Sequence, residues 1–302
     1  MNQEPPTGRQ SPTATLGRPT NGLESVAGIT LAFVCLLGVT PLVREGVIAL
    51  AYSLTSPESS FTTFQASAAS YEIPIGLAAS GLSIASMLLV CALLMRVVHR
   101  ARLGELSSVQ GRLRWRHIAV YTVVAVVTII GGSLMVGAIR GTPLTLTPQS
   151  GAWGFLLAIA LVTPWQSAAE EYVFRGYLLY AVRGLVPNPW VGALLGSMGF
   201  ASLHGNQNLA LFLNRLAFGL LASALVILTG GLEASIAAHV CNNVGAYTMA
   251  TLTSSVAQLR STQALTWTDS LIDTGIFVAF ALASLAIARF LPRTESTAVT
   301  SS

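Results

Sequence analysis

Lysine is absent from this chain of 302 residues, and all 16 of its basic side chains are Arg. A coding bias toward Arg codons, of the kind a GC-rich bacterium carries, accounts for this without any special need for guanidinium. Charge of either sign is scarce, at 9% of residues. Soluble domains average about 25%, so an ordinary soluble fold is excluded. Aspartate is reduced to Asp269 and Asp273, both near the start of the last apolar run. Neither is central to a membrane segment, which excludes an intramembrane aspartate dyad. The three cysteines, Cys35, Cys91 and Cys241, lie in apolar stretches with no CxxC spacing. They read as small core residues, not as a disulfide framework or metal site. The His-Glu-x-x-His signature of a zinc protease is missing as well, and no internal repeat stands out.

What the chain has is apolar length. It is 53% hydrophobic, with a mean hydropathy of +0.66. The reading is an all-α polytopic transmembrane bundle of about eight spans. They are placed at 25–42, 73–95, 118–138, 152–183, 189–205, 209–228, 232–252 and 269–290. Residues 1–23, rich in Pro, Thr and Gly, read as a disordered cytoplasmic tail. No secretory signal fits the long polar lead. Residues 24–150 carry the N-terminal spans and a basic loop, 151–255 a catalytic helical core, and 256–302 the last span and a tail. The stretch 43–72 stays open: residues 46–53 either extend the first helix or lie in the interface.

Arginine sets the orientation. Arg96, Arg100, Arg102, Arg112, Arg114 and Arg116 sit between the second and third spans. That loop is expected to be cytoplasmic. An even number of spans then places both termini in the cytoplasm of a multi-pass cell-membrane protein. The net charge of +4 and pI near 9.3 do not point to nucleic acid, because the basic residues cluster beside membrane segments.

Inside the fourth span stands Glu170-Glu171-Tyr-Val-Phe-Arg175. Each charged group at membrane depth costs about 2.5–3.5 kcal/mol on insertion scales, so such groups are rarely placed there for packing alone. On a helix Glu171 and Arg175 are i,i+4 and share a face, so they can pair. Glu170 is rotated by one residue, is left without that partner, and is free to exchange a proton as a general base or acid does. A structural ion-pair cluster is the alternative. Pro164, a turn and a half earlier, is expected to kink the helix and open space for Glu170.

Two further motifs follow. Phe200-x-x-x-His204 lies in the fifth span and His239-x-x-x-Asn243 in the seventh, each pair on one helical face. Asn242 is expected to point away toward a neighbouring helix. Both intramembrane histidines thus accompany the Glu pair, while His99 and His117 lie in or beside the basic loop. At ~1.5 Å per residue, Glu170, His204 and Asn243 sit ~20, ~22 and ~16 Å from the cytoplasmic ends of their spans. Matching depth allows one site. Ser197, two turns before His204 on the same helix, suits helix packing better than nucleophilic chemistry.

Glu-Glu-x-x-x-Arg, Phe-x-x-x-His and His-x-x-x-Asn, in this order on separate membrane helices, resemble the CPBP family of CAAX-processing and bacteriocin-immunity intramembrane proteases, also called the Abi family. The resemblance covers about residues 150–255. It implies an intramembrane endopeptidase acting on membrane-associated or lipidated proteins and peptides. In that reading Glu170 is the general base, activating water together with His204. His239 and Asn243 stabilise the oxyanion, and Glu171 and Arg175 brace the helix. No cofactor is favoured. Zinc held by Glu170, His204 and His239 is the alternative, disfavoured because Asn is a poor zinc ligand and a good oxyanion donor. The partners implied are a membrane protein or peptide substrate and the bilayer, with no nucleic acid. A proton-coupled transporter would use similar residues, yet it calls for paired broken helices or pseudo-symmetry that the chain lacks. A non-catalytic immunity scaffold of the same fold is the third reading.

Overall fold

The computed structural model describes residues 20–142 and 144–291. The tail expected at 1–23 and the C-terminal tail fall almost wholly outside these residues, although a helix already begins at Gly22. Among the described residues there are helices and loops and no strand, apart from one isolated bridge between Ser108 and Gly231.

In chain order the helices are α1 (Gly22–Thr55), α2 (Phe61–Ala69), α3 (Pro74–Val97, interrupted at Ser86), α4 (Trp115–Ile139) and α5 (Ala152–Val182). There follow α6 (Pro189–Ser202), α7 (Leu209–Thr229), α8 (Glu233–Thr253), α9 (Val256–Arg260) and α10 (Trp267–Ala288). The stretch left open at 43–72 divides: residues 46–53 extend α1, and α2 is a separate short helix.

Seven of the eight expected spans are helices within a few residues of their expected bounds and the first continues to Thr55, while the count of eight is not established. Six helices are long and apolar enough to cross a membrane: α1, α3, α4, α5, α7 and α10. Helix α6 has 14 residues, ~21 Å at 1.5 Å per residue, short of a hydrocarbon core of about 30 Å. Helix α8 has the length but carries Glu233, His239, Asn242 and Asn243 among its apolar residues.

The helix starts follow from local chemistry. Asn21 caps α1, accepting from the Glu24 backbone N–H at 2.9 Å while the Glu24 carboxylate reaches back to the Asn21 N–H. Asn208 caps α7, accepting from the Leu211 N–H at 3.0 Å. Side-chain acceptors of this kind satisfy the orphan donors of a first turn. Helix α7 ends at Gly230 in the left-handed region (φ 71°), which glycine enters without steric cost.

Helix α5 lies centrally, packed on α3 and α8, while α6 packs on α7, α7 on α10, and α8 on α4. The bundle has two unlike ends. At one end are the basic loop 98–114, the start of α8 and the start of α1. There Arg114 is buried and clamps Glu233 at 2.6 and 2.9 Å, and Leu232 N–H donates to Ser107 O at 2.9 Å. At the other end Thr147 N–H donates to Leu252 O, Asn208 N–H to Gln263 O, and Arg140 pairs with Asp269 at 2.6 Å.

Candidate active site

Helix α5 delivers the two glutamates where its hydrogen bonding widens. From Tyr172 to Tyr177 the helix runs as a π turn, a distortion that recurs at functional sites. Glu171 is fully buried; Arg175 Nη1 donates to its Oε1 at 3.0 Å, as the i,i+4 spacing requires. The rest of the guanidinium is covered by aromatic rings. Its central carbon lies 4.3 Å from the Phe200 ring centroid and 5.6 Å from that of Phe218. Nε and Nη2 have no hydrogen-bond partner among the described residues. An aromatic face is the next best environment for a desolvated cation.

His239 reaches across from α8 and engages both glutamates. Its Nδ1 lies 2.6 Å from Glu171 Oε1 and its Nε2 lies 3.2 Å from Glu170 Oε2. Glu170 is therefore not without a partner, as helical rotation alone suggested. Each of the two contacts needs one proton, carried either by the ring nitrogen or by the carboxyl group facing it. The ring is boxed edge-on by Phe218 and Phe200, at centroid distances of 5.2 and 5.7 Å.

A cavity of about 880 Å³ lies in front of Glu170. Glu170, Gln166, Thr163, His204, Asn242, Asn243 and Phe200 are on its wall. Thr163 adjoins Pro164, which lies inside α5. His204 follows the C-terminus of α6. Its Nδ1 donates to the Phe200 carbonyl at 2.7 Å, which leaves Nε2 available to the cavity side. Asn243 donates from Nδ2 to Ser167 Oγ at 3.2 Å and to Gln166 Oε1 at 3.3 Å. Asn242, expected to face a neighbouring helix, instead lines the cavity and donates to Asn243 Oδ1 at 3.2 Å.

Glu170, His204 and Asn243 thus share one cavity. His239, Glu171 and Arg175 are buried behind it: each is at most 3% exposed. Gln166 and Ser167 were not singled out from the sequence. Gln166 precedes Glu170 by four residues, so the spacing rule that pairs Glu171 with Arg175 would have found it. Ser197 is buried and donates to Ala193 O at 2.6 Å, a packing role.

The set Glu170, His204 and His239 does not form a metal cage. Both His239 nitrogens are taken up by carboxylates. Among the described residues no three His, Cys, Asp or Glu side chains are arranged to hold a metal ion.

Residues 149–245 match the model of a family described as type II CAAX prenyl endopeptidase Rce1-like. That segment runs from the start of α5 into α8 and contains all seven motif residues. The resemblance to CAAX-type proteases read from those motifs is borne out over it. A protein of Bacillus subtilis (strain 168), the uncharacterized protein YyaK, is 39% identical over 97 residues, 30% of this chain and 32% of its own length. The chain therefore spans about a third of the length of that curated relative. No solved structure matches the chain.

Proposed function

We propose that this chain is a glutamate-dependent intramembrane endopeptidase that cuts membrane-associated or lipidated peptides. One observation carries the reading: Glu170 and His204 stand on the wall of a single cavity enclosed by membrane helices, with Glu170 backed by His239. The family match over 149–245 supports peptidase chemistry in the same segment.

In this reading a water sits between Glu170 and the free Nε2 of His204. Glu170 takes its proton as the water oxygen bonds to the scissile carbonyl carbon. The carbonyl oxygen becomes an oxyanion, and Asn243 Nδ2 on the cavity wall is the donor placed to meet it. Its present bonds of 3.2 and 3.3 Å are long enough to be exchanged for that stronger one. As the C–N bond breaks, the proton held by Glu170 passes to the leaving nitrogen. His239 takes a different task from the oxyanion role the resemblance suggests. With both nitrogens engaged by carboxylates it orients Glu170 and buffers its proton. Leu36, Leu37, Leu77, Ile130 and Leu134 on the cavity wall suit an apolar substrate segment.

The test is hydrolysis of a fluorogenic lipidated peptide by the purified full chain in lipid nanodiscs. Wild type should cleave it; Glu170→Gln and His204→Ala should each lose about 10²–10⁴-fold in kcat, the range for removal of an acid–base group. Full activity in both variants would overturn the assignment. A chelator should leave the rate unchanged, and a loss that added zinc restores would overturn the metal-free mechanism.

A further inference from the structure

Two arginines share the cavity with the reacting groups and have no carboxylate of their own. Arg215 on α7 and Arg260 at the end of α9 both line it. Arg260 donates from Nη1 to Tyr247 Oη at 3.3 Å and from Nη2 to Tyr71 Oη at 3.1 Å, with its guanidinium carbon 4.9 Å from the Tyr71 ring centroid. Arg215 donates from Nη1 to Gln207 Oε1 at 2.6 Å. Every one of these partners is neutral. By contrast Arg44, Arg114, Arg140 and Arg175 pair with Glu45, Glu233, Asp269 and Glu171. Asp273, the other carboxylate on the cavity wall, makes no ion pair with either arginine.

Both guanidinium groups stand on the wall of the cavity that also holds His204 and Glu170. A cation between apolar walls with no counter-charge costs energy, and an entering anion relieves it. The fixed partners leave most of the ten guanidinium N–H donors uncommitted. The bonds to Tyr71 and Tyr247 hold Arg260 in place, and a guanidinium can receive a carboxylate through two parallel bonds. Tyr247 follows Asn243 by four residues on α8, so Arg260 lies about one helical turn, ~6 Å, nearer the mouth than the oxyanion donor.

We propose that Arg215 and Arg260 form an anion subsite that holds a carboxylate of the substrate peptide and so sets how the chain lies across Glu170. It rests on the peptidase reading for the identity of the ligand, but binding can be tested without cleavage.

The full chain carrying Glu170→Gln, in phosphatidylcholine nanodiscs, is titrated against a fluorescein-labelled apolar dodecapeptide in three forms. These are the free C-terminal acid, the C-terminal amide, and the amide with one Glu near its end. The acid or the Glu form should bind about tenfold or more tighter than the plain amide, and which of the two does so identifies the carboxylate. Adding Arg215→Gln and Arg260→Gln should abolish that preference while leaving the affinity for the amide unchanged, which shows the pocket intact. Adding Arg215→Lys and Arg260→Lys instead should keep part of the preference. Equal binding of all three forms, or a preference that survives the double Gln change, overturns the proposal. So does a preference erased by phosphatidylglycerol in the nanodisc, which would give the site to a lipid phosphate. A chain with Glu170 intact that binds with this preference yet never cleaves sinks the peptidase reading alone.

Discussion

Glu170 and Glu171 are adjacent in the chain and opposite in setting. Glu171 is fully buried and holds Arg175 and His239 at once, whereas Glu170 faces the cavity. Their removal should therefore have different consequences. Glu171→Gln leaves a buried guanidinium whose Nε and Nη2 already lack partners. Breaking a buried pair from one side costs about 3–5 kcal/mol, enough to lower the melting temperature in detergent markedly. Glu170→Gln keeps a hydrogen-bonding group opposite His239 and should melt within about 1 kcal/mol of wild type, while its turnover collapses. A Glu170→Gln chain that unfolds, or a Glu171→Gln chain that melts normally, would reverse the assignment of roles. Phe200 offers a third check. It contacts Arg175, His204 and His239. Phe200→Leu removes a cation–π contact worth about 2 kcal/mol when desolvated, and should lower both stability and rate. At this scale the sequence was legible wherever partners lie on one helix. The Glu171–Arg175 pair and the shared face of Phe200 and His204 follow from i,i+4 spacing. That His239 would close on both glutamates did not follow, because that contact joins helices 68 residues apart and no local spacing encodes it.

Helix α6 is the element on which the site's geometry depends. Too short to span alone, it is wedged against α5 and α7 by close contacts at small residues, and its end carries His204. A Cβ added at Gly219 on α7 would lie 2.8 Å from Ser197 Cβ, and one at Gly196 would lie 2.8 Å from the Phe174 carbonyl oxygen. Gly219→Ala should therefore force α6 and α7 apart, at a cost of about 1–3 kcal/mol typical of overpacking. The rate should fall further than the stability, since His204 moves relative to Glu170. Adding Ser197→Gly removes the two nearest opposing atoms, leaving the Cα at 3.1 Å, and should restore part of the rate. No recovery in the double variant would mean that this contact does not place His204. Hydropathy made the helices legible to within a few residues, because each buries or offers to lipid a long apolar run. Helices α6 and α8 fall short of the other spans in length or hydropathy for a physical reason: helices around such a cavity spend part of their apolar surface on polar side chains and close packing. The charge of Arg114 was read with the other loop arginines as an orientation signal. It is instead a buried clamp on Glu233, a pairing between chain segments 119 residues apart.

The two ends of the molecule differ in charge and in closure, and together these predict which way the protein faces. The end bearing Arg96, Arg100, Arg102, Arg112, Arg116, Arg183 and Arg289 is sealed. Arg114 grips Glu233 there, and the Ser108–Gly231 bridge ties the loop to the start of α8. No residue of the basic loop lines the cavity. At the opposite end, Asn206, Thr262, Gln263 and Leu265 do line it, so the cavity opens there. An excess of Arg marks the cytoplasmic side of short loops. The mouth should then face away from the cytoplasm, and substrate should enter from that side or from the bilayer. Single cysteines placed in a chain whose Cys35, Cys91 and Cys241 are replaced by Ala decide this. Ala264→Cys, exposed beside the mouth, should react with a membrane-impermeant maleimide in intact cells. Val109→Cys, exposed on the basic loop, should react only after the membrane is permeabilised. The reverse pattern would turn the mouth toward the cytoplasm. It would also mean that the basic loop is held outside against its own charge, with the Arg114–Glu233 clamp and not the arginine count fixing how the bundle inserts.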